Sequence, residues 1–197
     1  MATPFAEAGA FIRSRQEVEA PDLQLHFVIG LLEDHSRTLH WGHGYSCHVC
    51  VLRPESRGEV GLQNADPRTP PRIDPRFLSN PADGRLMIQG VRNMLEVLKA
   101  PSIARHRKRD LYDLAEESDE EILQHIRARA DTIYHPVGTC RMGGDADAVV
   151  DPDLKVRGVD ALRIVDASVM PRLIGGNTNA PTIMMAEKIA HQIRHGD

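Results

Sequence analysis

The stretch Asp22-Leu-Gln-Leu-His-Phe-Val-Ile29 alternates polar and apolar residues and then turns fully apolar, the pattern of a half-buried strand. Tyr45-Ser-Cys-His-Val-Cys-Val-Leu52 reads the same way, and Arg57-Gly-Glu-Val-Gly-Leu62 predicts a short third strand. Between Asn64 and Pro81 stand Pro67, Pro70, Pro71, Pro75 and Pro81, which predict extended loop with little regular structure. Two helices follow. Met87, Val91, Met94 and Leu98, flanked by Ile88 and Leu95, form one stripe at helical spacing. Ser118-Asp-Glu-Glu121 predicts the capping box of the second, whose apolar face runs through Ile122, Ile126 and Ala130. With no fixed-period repeat in the chain, these elements predict an α+β fold, an antiparallel sheet with helices on one side.

After Asp131 the texture changes. Tyr134-His-Pro-Val-Gly-Thr-Cys-Arg-Met-Gly-Gly144 is glycine-rich loop. Val149-Val-Asp-Pro152 and Leu162-Arg-Ile-Val165 predict short strands bounded by turns. The stretch from Pro181 to Arg194 predicts a closing helix with proline in its first turn, where the missing N–H does no harm. Ile183, Ala186, Ala190 and Ile193 share one of its faces.

Composition narrows the function classes. The 197 residues are 41% apolar and 26% charged, ordinary for a globular chain. Acids outnumber bases 28 to 24, giving a net charge of −4 and arguing against a nucleic-acid partner. The longest apolar run, His26 to Leu32, is far below the ~20 residues of a membrane span. The opening Met-Ala-Thr-Pro-Phe-Ala-Glu lacks the basic and apolar regions of a secretory signal. Three cysteines suit a reducing compartment. The expected location is cytoplasmic, with peripheral attachment at the inner membrane as the alternative.

Three constellations carry candidate chemistry. His40, His43, Cys47 and Cys50 are four potential zinc ligands. Cys47 and Cys50, however, fall three apart in a strand, where they face opposite sides, so no metal site is expected. His135 precedes Pro136, which holds it on extended backbone as a general base requires, although a lone loop histidine is more often a packing residue. Gly175-Gly-Asn-Thr-Asn-Ala-Pro-Thr182 leads into the last helix, whose unpaired N–H groups favour an anionic or electron-rich group. Taken alone, the simpler expectation is that Thr178 or Asn179 caps that helix.

The order of motifs changes this balance. Tyr134–Gly143, Val149–Pro152, Leu154-Lys-Val-Arg-Gly-Val159, Leu162-Arg-Ile-Val-Asp-Ala-Ser-Val-Met-Pro171 and Gly176–Thr182, together, closely resemble the C-terminal part of the glucose-methanol-choline (GMC) flavoprotein oxidoreductases. Leu52-Arg-Pro-Glu-Ser-Arg-Gly58 and Asp66-Pro-Arg-Thr-Pro-Pro-Arg-Ile-Asp-Pro75 also look like that family, so the resemblance spans essentially the whole chain.

The resemblance implies FAD as cofactor and hydride transfer from an alcohol carbon to flavin N5. His135 matches the histidine that takes the hydroxyl proton, and Asn177 the second group on the same substrate oxygen. The pair is therefore expected to converge on one open cavity. Asp166 and Ala167 match the stretch along the bound flavin. Asn179, Ala180, Pro181 and Thr182 match the helix start near its pyrimidine ring. The family's opening Gly-x-Gly-x-x-Gly unit is not found in these residues: Gly42-His-Gly44 is followed by Cys47 where the third glycine belongs. Phe5-Ala-Glu-Ala-Gly-Ala-Phe-Ile-Arg13 resembles an interior stretch of members.

The chain thus reads as a C-terminal portion. Residues 1–134 are expected to form the substrate-binding part with its antiparallel sheet. Residues 135–197 would be the C-terminal segment of a Rossmann-like FAD-binding domain whose N-terminal half is missing. The implied partners are a small-molecule alcohol, a quinone- or dye-type electron acceptor, and a separate FAD-binding half. A choline dehydrogenase-like activity is the alternative within the family, and a non-catalytic remnant or partner subunit the alternative outside it. With eight aromatic residues in the chain, a cage for a cationic substrate is less favoured than a pocket for an uncharged alcohol.

Overall fold

The computed structural model describes residues 6–34 and 37–196. The opening Met1 to Phe5, part of the stretch read for a leader, lies outside the described residues. The chain forms two compact units: one runs to Arg57 and resumes over Arg76–Asp131, the other holds Gly58–Pro75 and the chain from Thr132 onward. Helices and antiparallel strands are mixed, as the α+β expectation requires.

The first unit is built on an antiparallel sheet in the order β1–β2–β5, with β1 at Ala6–Ile12, β2 at Leu23–Val28 and β5 at Ser46–Val51. β2 and β5 fall where alternation predicts them. β1 is an addition to that reading, because Ala6-Glu-Ala-Gly-Ala carries too little apolar contrast to announce a strand. Leu23, Leu25 and Val28 are buried, the first completely. Asp22 ties the β1–β2 connection by accepting from the Ser14 N–H at 2.7 Å and its hydroxyl at 2.6 Å. A two-residue ladder pairs β3 (Leu32–Glu33) with β4 (Thr38–Leu39).

Helix α1, Pro81–Lys99, starts at Asn80, whose side chain accepts from the Ala82 N–H, and ends before Pro101 opens a single turn, α2 (Pro101–Ala104). Its stripe packs where its spacing predicts. Val91 is buried with Ile122 and Ile126 of α3 (Asp119–Arg129), and Met87, Ile88, Met94, Leu95 and Val49 surround them. Gly90 allows the close approach to the sheet: a Cβ there would stand 2.8 Å from Val49 Cγ2. Asp83, 5% exposed in the first turn of α1, accepts from the N–H groups of Glu55 and Ser56 and from the Ser56 hydroxyl. The capping box of α3 forms in full, with Ser118 Oγ accepting from the Glu121 N–H and Glu121 accepting from the Ser118 N–H.

The second unit departs further from expectation. The proline-rich stretch contains a strand after all: β7 (Arg72–Asp74) pairs antiparallel with β6 (Glu59–Gly61). Three residues between Pro71 and Pro75 are enough for a two-stranded ribbon, because the prolines fall outside the paired positions. The strands expected at Val149–Pro152 and Leu162–Val165 reduce to isolated bridges, Val150 with Met142 and Val156, and Lys155 with Arg163. Turn chemistry wins there. Asp151 Oδ1 accepts from the N–H groups of Asp153 and Lys155, folding the chain back before a ladder can extend. The core is Val150, Leu154, Val169 and Ile189, the last from helix α4 (Asn179–His195).

Candidate active site

Three segments of the second unit assemble the site. The first carries His135. Tyr134 before it sits at φ 64°, the left-handed region, with its N–H bonded to Thr132 Oγ1, so the chain turns sharply as it reaches the imidazole. Gly138, at φ 93°, makes the next turn. Its N–H and that of Cys140 both donate to the Ser168 carbonyl at 3.0 Å, and the Met142 N–H donates to the Val169 carbonyl at 2.8 Å.

The second segment is the 3-10 turn Ala167–Val169. Asp166 caps it, accepting from the Ser168 N–H at 2.8 Å and from the Ser168 hydroxyl at 2.5 Å. The segment bearing His135 and the one expected along a flavin are therefore joined by hydrogen bonds to Ser168 and Val169.

The third segment is the glycine-rich turn into α4. Thr178 occupies the N-cap position but makes no side-chain cap bond. Its carbonyl accepts from the Thr182 N–H at 3.1 Å and the Thr182 hydroxyl at 2.7 Å. The expectation that Thr178 caps the helix is corrected, since its hydroxyl is engaged elsewhere: Thr178 Oγ1 lies 3.0 Å from His135 Nδ1. Asn177 Nδ2 lies 2.9 Å from His135 Nε2, so neighbouring residues hold the two ring nitrogens.

His135 and Asn177 are thus brought together from distant segments. Asn177 is exposed and His135 half-buried. The apolar cavity of about 390 Å³ in this unit lies beside them along the chain, lined by Met142, Met170, Pro181 and Met184 among others. It places Pro181 and the residue following the Ala167–Val169 turn around one space. Asn179 and Ala180 are exposed at the start of α4, while Pro181 and Thr182 are half-buried. Asp166 is exposed and Ala167 half-buried. No side chain caps the positive end of α4.

Sequence reading missed Thr178 as a partner of His135. Its only signal is adjacency to Asn177, which a helix-start reading absorbs. In the other unit, Cys47 pairs with Phe27 and Cys50 with Gln24 across β2 and β5. Cys50 Sγ meets His26 Nε2 at 3.8 Å, and burial pushes the Cys47 thiol up to about 11.

The family model described as GMC oxidoreductase matches residues 54–186. The chain is 52% identical over 189 residues to an alcohol dehydrogenase [acceptor] of Pseudomonas putida, covering 95% of this chain and 34% of that one. It is 43% identical over 191 residues to an oxygen-dependent choline dehydrogenase of Paraburkholderia phytofirmans, covering 96% and 34%. Among solved structures, pyridoxine 4-oxidase from Mesorbium loti superposes with a TM-score of 0.89 at 29% identity, covering 97% of this chain and 38% of that one. A formate oxidase of Aspergillus oryzae, in a structure concerned with FAD modification, gives 0.82 at 30% identity, covering 91% and 33%. The chain spans about a third of the length of the curated relatives it matches.

Proposed function

Because the chain belongs to the GMC oxidoreductase family, we propose that it carries the proton-transfer groups for FAD-dependent oxidation of an alcohol to an aldehyde or ketone. The observation that supports this most is the 2.9 Å contact between Asn177 Nδ2 and His135 Nε2. An amide N–H and a bare ring nitrogen form a slot that suits one kind of guest. A hydroxyl group is both donor and acceptor, so it can take the place of this bond, giving its proton to Nε2 while its oxygen accepts from Asn177.

A flavin bound against the start of α4 supplies the hydride acceptor. The residues fit such a group, since the helix end is uncapped and Asn179, Ala180, Pro181 and Thr182 surround its first turn. Asp166 and Ala167 would run alongside. His135 holds the alcohol proton at Nε2, and Asn177 keeps charge on the substrate oxygen stabilised while the carbon gives up its hydride. In this reading residues 1–134 form the substrate-binding part and residues 135–197 the flavin-domain segment, working with an FAD-binding half that holds the rest of the dinucleotide. An uncharged alcohol is preferred to choline, as the higher identity to the alcohol dehydrogenase supports. A quinone- or dye-type acceptor and a cytoplasmic location complete it; among the described residues no helix is long and apolar enough to cross a membrane.

The experiment is to join the chain to a flavin-binding half and follow bleaching of the flavin by alcohols without oxygen. His135→Ala should slow that step by ~10²-fold or more. An unchanged rate at saturating alcohol would remove His135 from the chemistry. Bleaching by no alcohol, with flavin bound, would favour the non-catalytic remnant.

A further inference from the structure

The geometry points to Thr178 as the residue that selects the tautomer of His135, keeping the proton on Nδ1 and the lone pair on Nε2. It rests on the reading of His135 as the base and assigns which of its nitrogens acts and why.

Thr178 is 8% exposed and stands where a helix ordinarily takes its side-chain cap. Its backbone, at φ −85° and ψ −9°, is already helical rather than extended, which turns the hydroxyl away from the first-turn N–H groups. Oγ1 instead meets His135 Nδ1 at 3.0 Å. On the other side of the ring, Asn177 presents Nδ2 to Nε2 at 2.9 Å. An amide nitrogen has protons to give and no lone pair to accept with, so Nε2 must be unprotonated. A neutral ring then carries its proton on Nδ1, and Thr178 Oγ1 is the acceptor.

This arrangement runs against the preference of a free histidine, which favours the proton on Nε2, so something must reverse it. A buried hydroxyl that forgoes its capping role is suited to that task. It also serves after proton transfer. Once Nε2 has taken the alcohol proton, Nδ1–H still points at Oγ1, and the bond strengthens without any group having to move. Thr178 is a positioning residue: it acts on the substrate only through the ring.

The test is the nitrogen spectrum of the full chain labelled with 15N-histidine, at a pH where the ring is neutral. The His135 signals are identified by their loss in His135→Gln. Magic-angle spinning reads the tautomer whether or not the chain stays in solution. The wild type should show a protonated Nδ1 and a bare Nε2. Thr178→Val, which removes the hydroxyl and keeps the shape, should lower the Nδ1–H population about twofold or more, and Thr178→Ser should restore it. A wild-type ring protonated on Nε2, or a tautomer unmoved by Thr178→Val, overturns the assignment. Should Thr178→Val melt out, the wild-type spectrum and the serine variant decide. Failure of the base reading looks different: the tautomer is as described, yet His135→Ala leaves flavin reduction unchanged.

Discussion

Nε2 of His135 and Nδ2 of Asn177 stand 2.9 Å apart although 42 positions of chain separate them. No local geometry produces that contact. It depends on the Gly138–Met142 loop being hydrogen-bonded to Ser168 and Val169, and on α4 packing Ile189 against Val150 and Val169. Replacing Asn177 with alanine removes the only donor described on the Nε2 side of the ring. In an enzyme completed with its flavin-binding half, kcat for alcohol oxidation should fall by ~10²-fold, the scale of losing one oxyanion donor. Asn177→His, which keeps an N–H, should recover part of the loss. Equal rates for alanine and wild type would show that the contact has no part in catalysis.

Asp83 is a buried carboxylate with three hydrogen bonds from Glu55 and Ser56. The position also lies in the first turn of α1, where negative charge is favoured. Asp83→Ala should cost ~2–4 kcal/mol in urea unfolding, because two backbone N–H groups lose their acceptor. Asp83→Asn should cost less. A loss below ~0.5 kcal/mol for the alanine variant would mean that the loop finds other partners.

At Gly90 the added methyl group of alanine would meet Val49 Cγ2 at 2.8 Å and Leu23 Cδ2 at 3.0 Å. Despite the better helix propensity of alanine, Gly90→Ala should destabilise by ~1–3 kcal/mol through overpacking. Gly144→Ala is the control, since a Cβ there meets nothing within 4 Å. Thermal melts of the two variants should therefore separate, and coincident curves would refute the tight helix–sheet contact.

With its thiol pushed up to about 11 by burial, Cys47 should be only about one part in a thousand thiolate at pH 8. Alkylation followed by mass spectrometry should find its rate rising tenfold per pH unit up to that value. Cys50 shifts in the same direction, burial outweighing a bond from the Gln24 backbone. Rapid labelling of Cys47 at neutral pH would contradict its place in a packed strand.

Purified as these 197 residues, the chain should be colourless and inactive towards alcohols. The glycine-rich turn that grips a dinucleotide pyrophosphate is not among them, and the segments proposed to face a flavin would reach it only at one end. Absorbance of the purified chain, with dye reduction by alcohols, checks this. A yellow and active preparation would show that FAD binding needs no such turn.

The parts of the fold legible in the sequence are those whose side-chain periodicity matches their burial. Met87, Val91 and Met94 announce α1, and Leu23 and Leu25 announce β2, although Gln24 and Val28 on its other face are buried as well. Where hydrogen bonds of single residues set the path, the pattern is silent. Val149 and Val150 read as a strand, yet Asp151 turns the chain after one bridge. The two-stranded ribbon at Arg72–Asp74 hides among prolines for the opposite reason, because its pairing falls between them. Within the site, His135 and Asn177 stand out through motif order. Thr178 does not, since a threonine before a helix is expected to cap it, and only the observed direction of its hydroxyl says otherwise.

The Ser168 carbonyl holds the N–H groups of Gly138 and Cys140, while Asp166 holds the N–H and hydroxyl of Ser168. One opening event is therefore expected to release these bonds together, from Asp166 to the loop that carries the imidazole. In hydrogen exchange the amides of Gly138, Cys140 and Ser168 should behave as a single cooperative unit with one opening free energy. Ordering of Asp166 by a bound group should then slow exchange at Gly138 and Cys140 as well, which would carry the effect to the loop bearing His135.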